Sequence, residues 1–430
     1  MSGKGDKLKE QRTVYILGAG ASYGSRLVTR NEYIAADGDP SKLTLSNKRV
    51  PLTGEFFAPF GAGKYRREIG RLFELVGFIV RQFGGTADVR ELNNVLRSRS
   101  RNAGSQTQLQ KMFSRFVAKF GYCGGLDIED VFTRLQAEID RHPILSPELL
   151  RARDQLVRLI IHKLSHSCGG HYSLDYLKLV NRLKPHDAVI TFNWDDLIDK
   201  AFTSLTEVTS ALVASLAAVS QSDADHSVWQ GARVLHAEDF PSKWEERDVP
   251  LYLKLHGSVT WFSCPRQDCP AHNIVFHAPE FTRHSASSDS RKLAEGHAVE
   301  SYYNWNDAPT CPACGVSMHR VMIPPIISKP YEAYPAVRKS WALAYRLLEH
   351  TDRVVSIGYS YREADVYSNW LLASSLRKRK LKAPSKTTPV QIEVVDRDPT
   401  PPAKRLERIV ADWARVTPVK LEFEKWTDQQ

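Results

Sequence analysis

The chain alternates short apolar runs with longer stretches of helical periodicity, and this alternation restricts its fold more than any other feature. The apolar runs lie at 13–17, 187–192, 251–255, 353–357 and 390–395. Strands that alternate with helices in this way are typical of a mainly parallel sheet with helices on both faces. The sequence therefore predicts an α/β fold.

Small and polar residues follow each of these runs. They are Gly18, Ala19, Gly20, Ala21 and Ser22 after the first, Asn193 and Asp195 after the second, His256 after the third, Gly358 and Ser360 after the fourth, and Asp396 at the end of the fifth. Open α/β sheets bind their ligands at the carboxyl ends of the strands. Because all five sets fall on one predicted edge, we expect a single Rossmann-like ligand site there.

Each set also has a purely structural interpretation. Gly18 and Gly20 lack a Cβ, so the backbone can pass close to a phosphate and hold it with N–H groups, but such a loop can equally be only a tight turn. Asn193 and Asp195 can bind a ligand, or they can form a turn and cap a helix. His256 can act as a general base or as a hydrogen-bonded structural histidine.

Four of the six cysteines form two pairs, Cys264 with Cys269 and Cys311 with Cys314. Four thiolates in this arrangement suit tetrahedral Zn²⁺ and leave no open coordination position. The sequence therefore predicts a structural zinc site in a small zinc-ribbon module.

The zinc ligand set has alternatives. The stretch between the pairs, 270–310, is long for a zinc ribbon, and His272, His277 or His319 could replace one of the cysteines. The other interpretation is four unlinked thiols. Six cysteines are too few for a disulfide scaffold in a chain of 430 residues, so we expect a reducing, cytoplasmic environment.

These signals divide the chain into three predicted units. Residues 1–63, 184–258 and 322–430 are expected to form the Rossmann-like ligand-binding core, 64–183 a helical insertion, and 259–321 the zinc-binding module.

Local patterns add detail to this division. Asp127 is placed to cap a helix with one apolar face. The polar segment 98–107 is predicted to be a loop, the alanine-rich segment 205–219 a helix, and 390–395 the last core strand.

The chain carries a net charge of +10, which favours anionic partners. Basic residues cluster at 64–71, 97–101 and 377–382. These clusters can contact nucleic acid, or they can simply be solvated faces. No run approaches the roughly 18 apolar residues of a membrane helix, and the first twelve residues lack the apolar stretch of a secretory signal. We therefore expect a cytoplasmic protein that does not span a membrane.

Taken in order, these motifs resemble the sirtuin (silent information regulator) family, and in particular its bacterial sirtuin-like branch. Residues 191–195 stand where sirtuins carry Thr-Gln-Asn-Ile-Asp, and 254–257 contain the family's catalytic His-Gly pair. Residues 358–360 stand where the family has Gly-Thr-Ser, and Asp396 ends the strand whose tip binds the adenosine ribose in sirtuins.

The sequence departs from sirtuin deacylases at two points. Their Gly-Ile-Pro-Asp-Phe-Arg motif is replaced by 23–29, and Phe192 stands in place of the glutamine before the catalytic asparagine. No acyl-lysine channel signature is recognisable. These departures put protein deacylation in question. With Ile357-Gly-Tyr-Ser360 and a downstream Asp365, the chain looks most similar to the sirtuin-like NAD-degrading effectors of bacterial antiphage defence, some of which act with a HerA-type ATPase or a short Argonaute.

This resemblance implies an NAD⁺ glycohydrolase that releases nicotinamide and ADP-ribose. As an abortive-infection effector it would deplete cellular NAD and would be gated by oligomerisation or by a partner from its defence operon. The implied catalytic residues are Asn193 for the water or ribose, His256 for a ribose hydroxyl or the water, and Asp195 for the carboxamide. Gly18, Ala19, Gly20, Ala21 and Ser22 would bind the phosphates, and Gly358, Ser360 and Asp396 the adenosine side. The alternatives are an NAD-dependent protein deacylase and a nucleotide- or nucleic-acid-binding regulatory module.

Overall fold

A computed structural model of the protein describes residues 11–36, 42–57, 72–99, 105–120, 126–141, 146–204, 250–273, 275–277, 310–324, 334–363, 365–382 and 388–430. The predicted helix at 205–219 and the basic cluster at 64–71 lie outside these residues.

The described strands, in chain order, are β1 (Thr13–Leu17), β2 (Leu27–Thr29), β3 (His171–Ser173), β4 (Ala188–Thr191), β5 (Leu251–Lys254), β6 (Gly257–Ser263), β7 (Phe276–His277), β8 (His319–Met322), β9 (Arg353–Ile357), β10 (Val390–Asp396) and β11 (Ala414–Lys420). The described α-helices are α1 (Ala19–Tyr23), α2 (Arg30–Ala35), α3 (Phe73–Phe83), α4 (Thr86–Arg99), α5 (Ser105–Phe120), α6 (Ile128–Arg141), α7 (Pro147–Cys168), α8 (Leu174–Arg182), α9 (Leu197–Ser204), α10 (Pro335–His350), α11 (Val366–Lys382), α12 (Thr400–Val410) and α13 (Phe423–Gln429).

Six strands form one parallel sheet in the order β11-β10-β9-β1-β4-β5. Counted along the chain, this is the strand order 3-2-1-4-5-6 of a doubly wound Rossmann fold. Every residue of β4 and β5 is buried, as expected where helices cover both faces of a parallel sheet. The predicted α/β class is confirmed.

The register of the sheet brings the strand ends together. Leu17 at the end of β1 pairs with Thr191 of β4 on one side and with Ile357 of β9 on the other. Thr191 pairs in turn with Lys254 of β5. The residues that follow these four strands therefore leave the sheet side by side at one edge.

Helices α3 to α7 pack on one another, chiefly α3 on α7, α4 on α5 and α6 on α7. As predicted, Asp127 caps α6, because its Oδ1 accepts the N–H of Glu129 at 2.8 Å.

The antiparallel pair of β2 and β3 joins the segment after α1 to the segment after α7. No described helix is both long and apolar enough to cross a membrane.

A second, antiparallel sheet has the order β7-β6-β8. Strand β6, which comes first of the three in the chain, begins at Gly257, shortly after β5 ends at Lys254. The turn between β5 and β6 requires Gly257, which has a φ of +72° and whose Cβ would lie 2.0 Å from the carbonyl oxygen of Val321.

Two sequence predictions need correction. Strand β11 follows the predicted last core strand; it was missed because it is a sheet edge whose residues are half-buried or exposed, with Pro418 among them. The segment 98–107 is not one loop, because α4 extends to Arg99 and α5 begins at Ser105.

Candidate functional site

A cavity of about 620 Å³ opens at the carboxyl edge of the parallel sheet. Strands β4 and β5 follow on one side of β1, and strands β10 and β11 follow on the opposite side of β9. The cavity at the ends of β1 and β9 therefore lies at the topological switch point, where such sheets bind ligands. Of the residues predicted for the site, Gly18, Ala19, Gly20, Asn193, Asp195, His256, Gly358, Ser360 and Asp396 line it. Ala21 and Ser22 are fully buried and are not among the lining residues.

Glycines allow the turns after β1 and β9 to touch. The N–H of Gly18 donates to the carbonyl of Ile357 at 3.0 Å, and that of Gly20 to the carbonyl of Gly358 at 2.9 Å. A Cβ on Gly18 would lie 2.5 Å from the oxygen of Gly358. Gly358 itself has a φ of +61°, and its Cβ would lie 2.2 Å from the nitrogen of Ala21. These contacts leave no room for a side chain.

The same contacts use most of the N–H groups predicted to hold a phosphate. Besides Gly18 and Gly20, Ala21 donates its N–H to a backbone carbonyl, at 3.0 Å. Within the described part of the chain, only the N–H of Ala19 among these four has no acceptor. The loop is therefore in large part a tight turn, and among these four N–H groups that of Ala19 is the one left to bind an anion.

A buried hydrogen-bonded cluster lies beside this turn. The Ser22 hydroxyl donates to Asp195 Oδ2 at 2.8 Å and lies 2.8 Å from the hydroxyl of Tyr176. The side-chain amide of Asn193 donates both its hydrogens, to the Gly18 carbonyl at 2.9 Å and to Ser22 Oγ at 3.0 Å. These contacts fix the orientation of the Asn193 carboxamide. Ser22 thus supports Asn193 and Asp195 through its hydroxyl, and its phosphate contact stays a prediction.

Asp195 combines the two roles considered for it. Its Oδ1 accepts the N–H of Leu197 at the start of α9, which is the cap interpretation, while the residue also lines the cavity. Burial raises the pKa of the Asp195 carboxyl, and the nearby Lys254 ammonium and the Ser22 hydrogen bond oppose that shift.

An ion pair lies behind the loop that carries Asn193 and Asp195. Lys254, at the end of β5, is fully buried, and its Nζ lies 2.6 Å from Asp199 Oδ2. The same ammonium donates to the backbone carbonyl of Asp195 at 2.5 Å. A paired and hydrogen-bonded lysine at this position fixes the loop against β5.

Aromatic rings surround His256. Phe192 lies 5.1 Å from the histidine ring, and Trp341 lies 6.3 Å from it, between ring centroids. Phe192 also stacks on Tyr359 at 4.7 Å, and the Tyr359 hydroxyl donates to Asp365. His256 is only 5% exposed, so the cavity is its route to solutes.

The far end of the cavity carries Ser360 and Asp396. Ser360 is exposed, and its backbone carbonyl accepts a hydrogen bond from Arg405. Asp396 Oδ1 accepts the N–H of Asp398 at 2.9 Å, and burial raises the pKa of the Asp396 carboxyl.

Sequence reasoning missed two supporting residues, Tyr176 and Lys254. A lysine inside an apolar strand run is a usable signal, because lysines are rarely buried unless they are paired. Tyr176 gives no such signal, because it lies on an ordinary amphipathic helix far along the chain from Ser22.

The four predicted zinc ligands lie together. The sulfur atoms of Cys264, Cys269, Cys311 and Cys314 are all within 4.8 Å of one another, with Cys264 and Cys314 3.5 Å apart and Cys269 and Cys311 3.8 Å apart. A tetrahedral site with Zn–S bonds of about 2.3 Å places its sulfurs about 3.8 Å apart. The geometry therefore fits a four-coordinate zinc ion.

The proposed histidine substitutes have other partners. His272 Nδ1 lies 2.8 Å from the Cys264 carbonyl, and His319 Nε2 lies 2.7 Å from the Ser263 hydroxyl. The side chain of His277 lies outside the described residues. The four-cysteine set is the one that the geometry favours.

No protein-family model matches the chain, and no curated protein matches it. The matching solved structures include a Sir2–p53 peptide–NAD⁺ complex (14% identity, TM-score 0.31), Sir2Tm bound to a propionylated peptide (12%, 0.32) and Sir2 bound to an acetylated peptide (13%, 0.32). Each match covers 98% of this chain and 92% of the other. Similarity at this level does not define the roles of individual residues.

Proposed function

We propose that the protein is an NAD⁺ glycohydrolase that cleaves the nicotinamide–ribose bond and releases nicotinamide and ADP-ribose. The observation that carries the proposal is the Asn193 cluster at the switch-point cavity. Both hydrogens of the Asn193 carboxamide are held by protein acceptors. Its oxygen is therefore the atom that can accept a hydrogen bond from water or from a ribose hydroxyl.

The reaction needs little acid catalysis from the protein. Nicotinamide leaves a cationic pyridinium as a neutral molecule, so its departing nitrogen needs no proton, unlike the leaving oxygen of an ordinary glycoside. The protein's tasks are to hold the dinucleotide, stabilise the oxocarbenium-like transition state and admit one water. In this proposal Asn193 orients the water, the buried Asp195 holds the carboxamide and His256 acts on a ribose hydroxyl or the water.

The surroundings of His256 favour water over an acyl-lysine as the acceptor. Phe192 and Trp341 pack near its ring, and Phe192 is itself stacked on Tyr359. Phe192 also stands where sirtuin deacylases carry a glutamine before the catalytic asparagine. Protein deacylation is therefore the alternative that we disfavour.

The test is to incubate the purified full-length protein with NAD⁺ and resolve the products. Wild type is expected to form nicotinamide and ADP-ribose, and Asn193→Ala to lose about 10²–10⁴-fold in rate. Asn94→Ala, which alters an exposed asparagine on α4, is the matched control and should retain wild-type activity.

Three outcomes would contradict the proposal. Equal activity of the Asn193→Ala and wild-type proteins would remove Asn193 from catalysis. Formation of O-acyl-ADP-ribose from an acylated peptide would identify a deacylase. Failure of NAD⁺ to bind at all, with retained affinity for DNA or RNA that falls steeply with salt, would favour the regulatory module.

The proposal extends to antiphage defence. A free NAD⁺ hydrolase would harm its own host, so we propose that oligomerisation or a partner such as a HerA-type ATPase gates the activity. Specific activity should then rise with protein concentration or on addition of the neighbouring gene product. Infected cells that carry the wild-type gene should lose NAD⁺, and cells that carry Asn193→Ala should not.

A further inference from the structure

Two arginines face one tyrosine ring in the cavity. Tyr23 is the last residue of α1, Arg49 lies in the segment 42–57, and Arg397 follows β10 directly. The guanidinium carbon of Arg49 lies 5.5 Å from the centre of the Tyr23 ring, and that of Arg397 lies 5.8 Å from it. All three residues line the cavity, so three distant parts of the chain converge on one point of it.

These arginines differ from the other two that line the cavity. Arg26 is paired with Asp175 and Asp428, and Arg362 is paired with two carboxylates of its own. Within the described ranges, no carboxylate lies within ion-pair distance of Arg49 or Arg397. Both residues are exposed and line the cavity.

The turn after β1 offers few backbone N–H groups to a phosphate, so positively charged side chains matter for binding one. A dinucleotide's pyrophosphate carries two negative charges, and the turns of Rossmann folds usually meet them with backbone N–H groups. Here Gly18, Gly20 and Ala21 have already donated their N–H groups to carbonyls, and among the described residues only Ala19 of these four has no acceptor. Side-chain cations must therefore supply the remaining attraction.

We propose that Arg49 and Arg397, held against Tyr23, form a phosphate clamp that binds the pyrophosphate of the dinucleotide. The inference rests on the proposed function and names the group that anchors its substrate. Planar guanidinium groups bind phosphate oxygens bidentately, and stacking on an aromatic ring orders them beforehand. A 2′-phosphate is the other source of the same chemistry. We assign the pyrophosphate because both arginines face Tyr23, the last residue of the helix that follows the turn after β1, which is where Rossmann folds bind the pyrophosphate.

The test uses the full-length protein and ADP-ribose, which contains the pyrophosphate but not the scissile bond. Isothermal titration calorimetry should show that Arg49→Gln and Arg397→Gln each weaken ADP-ribose binding about tenfold, and the double variant further. Adenosine, which has no phosphate, should bind all variants equally. Arg415→Gln, which alters an exposed arginine of β11, is the matched control and should bind like wild type. Thermal unfolding checks that each variant is folded.

The outcomes separate this inference from the proposed function. If wild type binds ADP-ribose and the double variant binds it equally, the clamp is wrong and the glycohydrolase proposal stands. If wild type does not bind ADP-ribose, both are wrong. If the substitutions weaken only NADP⁺ or 2′-phospho-ADP-ribose, the arginines bind a 2′-phosphate and the pyrophosphate assignment is overturned.

Discussion

At the scale of single residues, the site depends on buried side chains that are hydrogen-bonded to one another. Ser22 donates to Asp195 and accepts from Asn193, and Tyr176 closes the cluster. Because all these groups are buried, removing any one leaves another polar atom without a partner, which typically costs about 1–3 kcal/mol. The cluster therefore holds the Asn193 carboxamide in one orientation before a ligand arrives.

Gly358→Ala tests the contact between the two turns. An alanine there adopts a left-handed conformation that costs about 1–2 kcal/mol, and its Cβ would also overlap the nitrogen of Ala21. We expect Gly358→Ala to lower the free energy of unfolding by more than about 2 kcal/mol and to abolish ADP-ribose binding.

Gly315→Ala is the control for this substitution. Gly315 has a similar φ of +71°, but no atom of the described residues lies within 4 Å of its added Cβ. Chemical denaturation should therefore show only the conformational cost, with binding intact. Equal losses for the two variants would mean that the close contact between the turns does not matter.

Lys254→Met tests the ion pair behind the loop. Removing the ammonium leaves the buried Asp199 carboxylate without its counterion, and breaking such a pair costs about 3–5 kcal/mol. The carbonyl of Asp195 loses its donor as well, so NAD⁺ turnover should fall with stability. Urea denaturation and product formation are the measurements.

Two further variants make this prediction specific. The double variant Lys254→Met/Asp199→Leu should regain most of the stability, because it removes both charges, but should not regain the turnover. Lys425→Met, in an exposed pair with Glu422, should change stability by no more than about 0.5 kcal/mol. A stable but inactive double variant would support a positioning role for Lys254.

At the scale of elements, the turn between β5 and β6 connects the parallel sheet to the zinc-ligand module. Strand β6 begins at Gly257, directly after His256, and the N–H of Ile323 after β8 donates to the His256 carbonyl at 2.9 Å. The backbone of His256 is therefore held by the antiparallel sheet whose neighbouring loops carry the four cysteines. Order in that module supports order at the site.

Metal removal tests this connection. We expect about one zinc per chain by atomic absorption, and loss of both the metal and most of the activity after prolonged chelation. Cys314→Ser should reproduce this loss, whereas Cys168→Ala, which alters a buried cysteine of α7, should keep the metal. Full activity in a metal-free protein would show that the module does not support His256.

At the scale of the whole molecule, one arginine joins the helical region to the sheet at the cavity. Arg362, after β9, lies 2.7 Å from Asp127 Oδ2 and 3.2 Å from Glu129 Oε2, at the start of α6. Its other terminal nitrogen donates to Thr53 Oγ1 at 2.9 Å. Arg362 thus links three segments that are far apart in the sequence, beside the expected position of the ligand. A gate formed by the helices would act at this junction.

A double-mutant cycle of Arg362→Gln and Glu129→Gln tests this junction. The Arg362 side chain is 41% exposed, so we expect each substitution to cost only about 1 kcal/mol. Because the two residues share one network, their effects should couple by about 0.5 kcal/mol or more. The dependence of activity on protein concentration should change in the same variants. Strictly additive stabilities would contradict the junction.

The sequence by itself determined the features that depend on local pattern. Apolar runs and helical periodicity placed the core strands of the α/β sheet, except edge strand β11, whose residues are half-buried or exposed. Cysteine spacing identified the four sulfurs that lie together, and the Asp127 cap was found because a cap involves neighbours in the chain.

Only the tertiary structure decided how the residues at the sheet edge are used. Ser22 and Asp195 are 173 positions apart, and Arg49 and Arg397 meet at Tyr23 from opposite ends of the chain. The same glycine loop could cradle a phosphate or form a tight turn, and the choice depends on whether the N–H groups of Gly18 and Gly20 find the carbonyls of Ile357 and Gly358 at the end of β9. No local pattern contains that information, because hydrogen-bond partners across a parallel sheet are set by the packing of the whole fold.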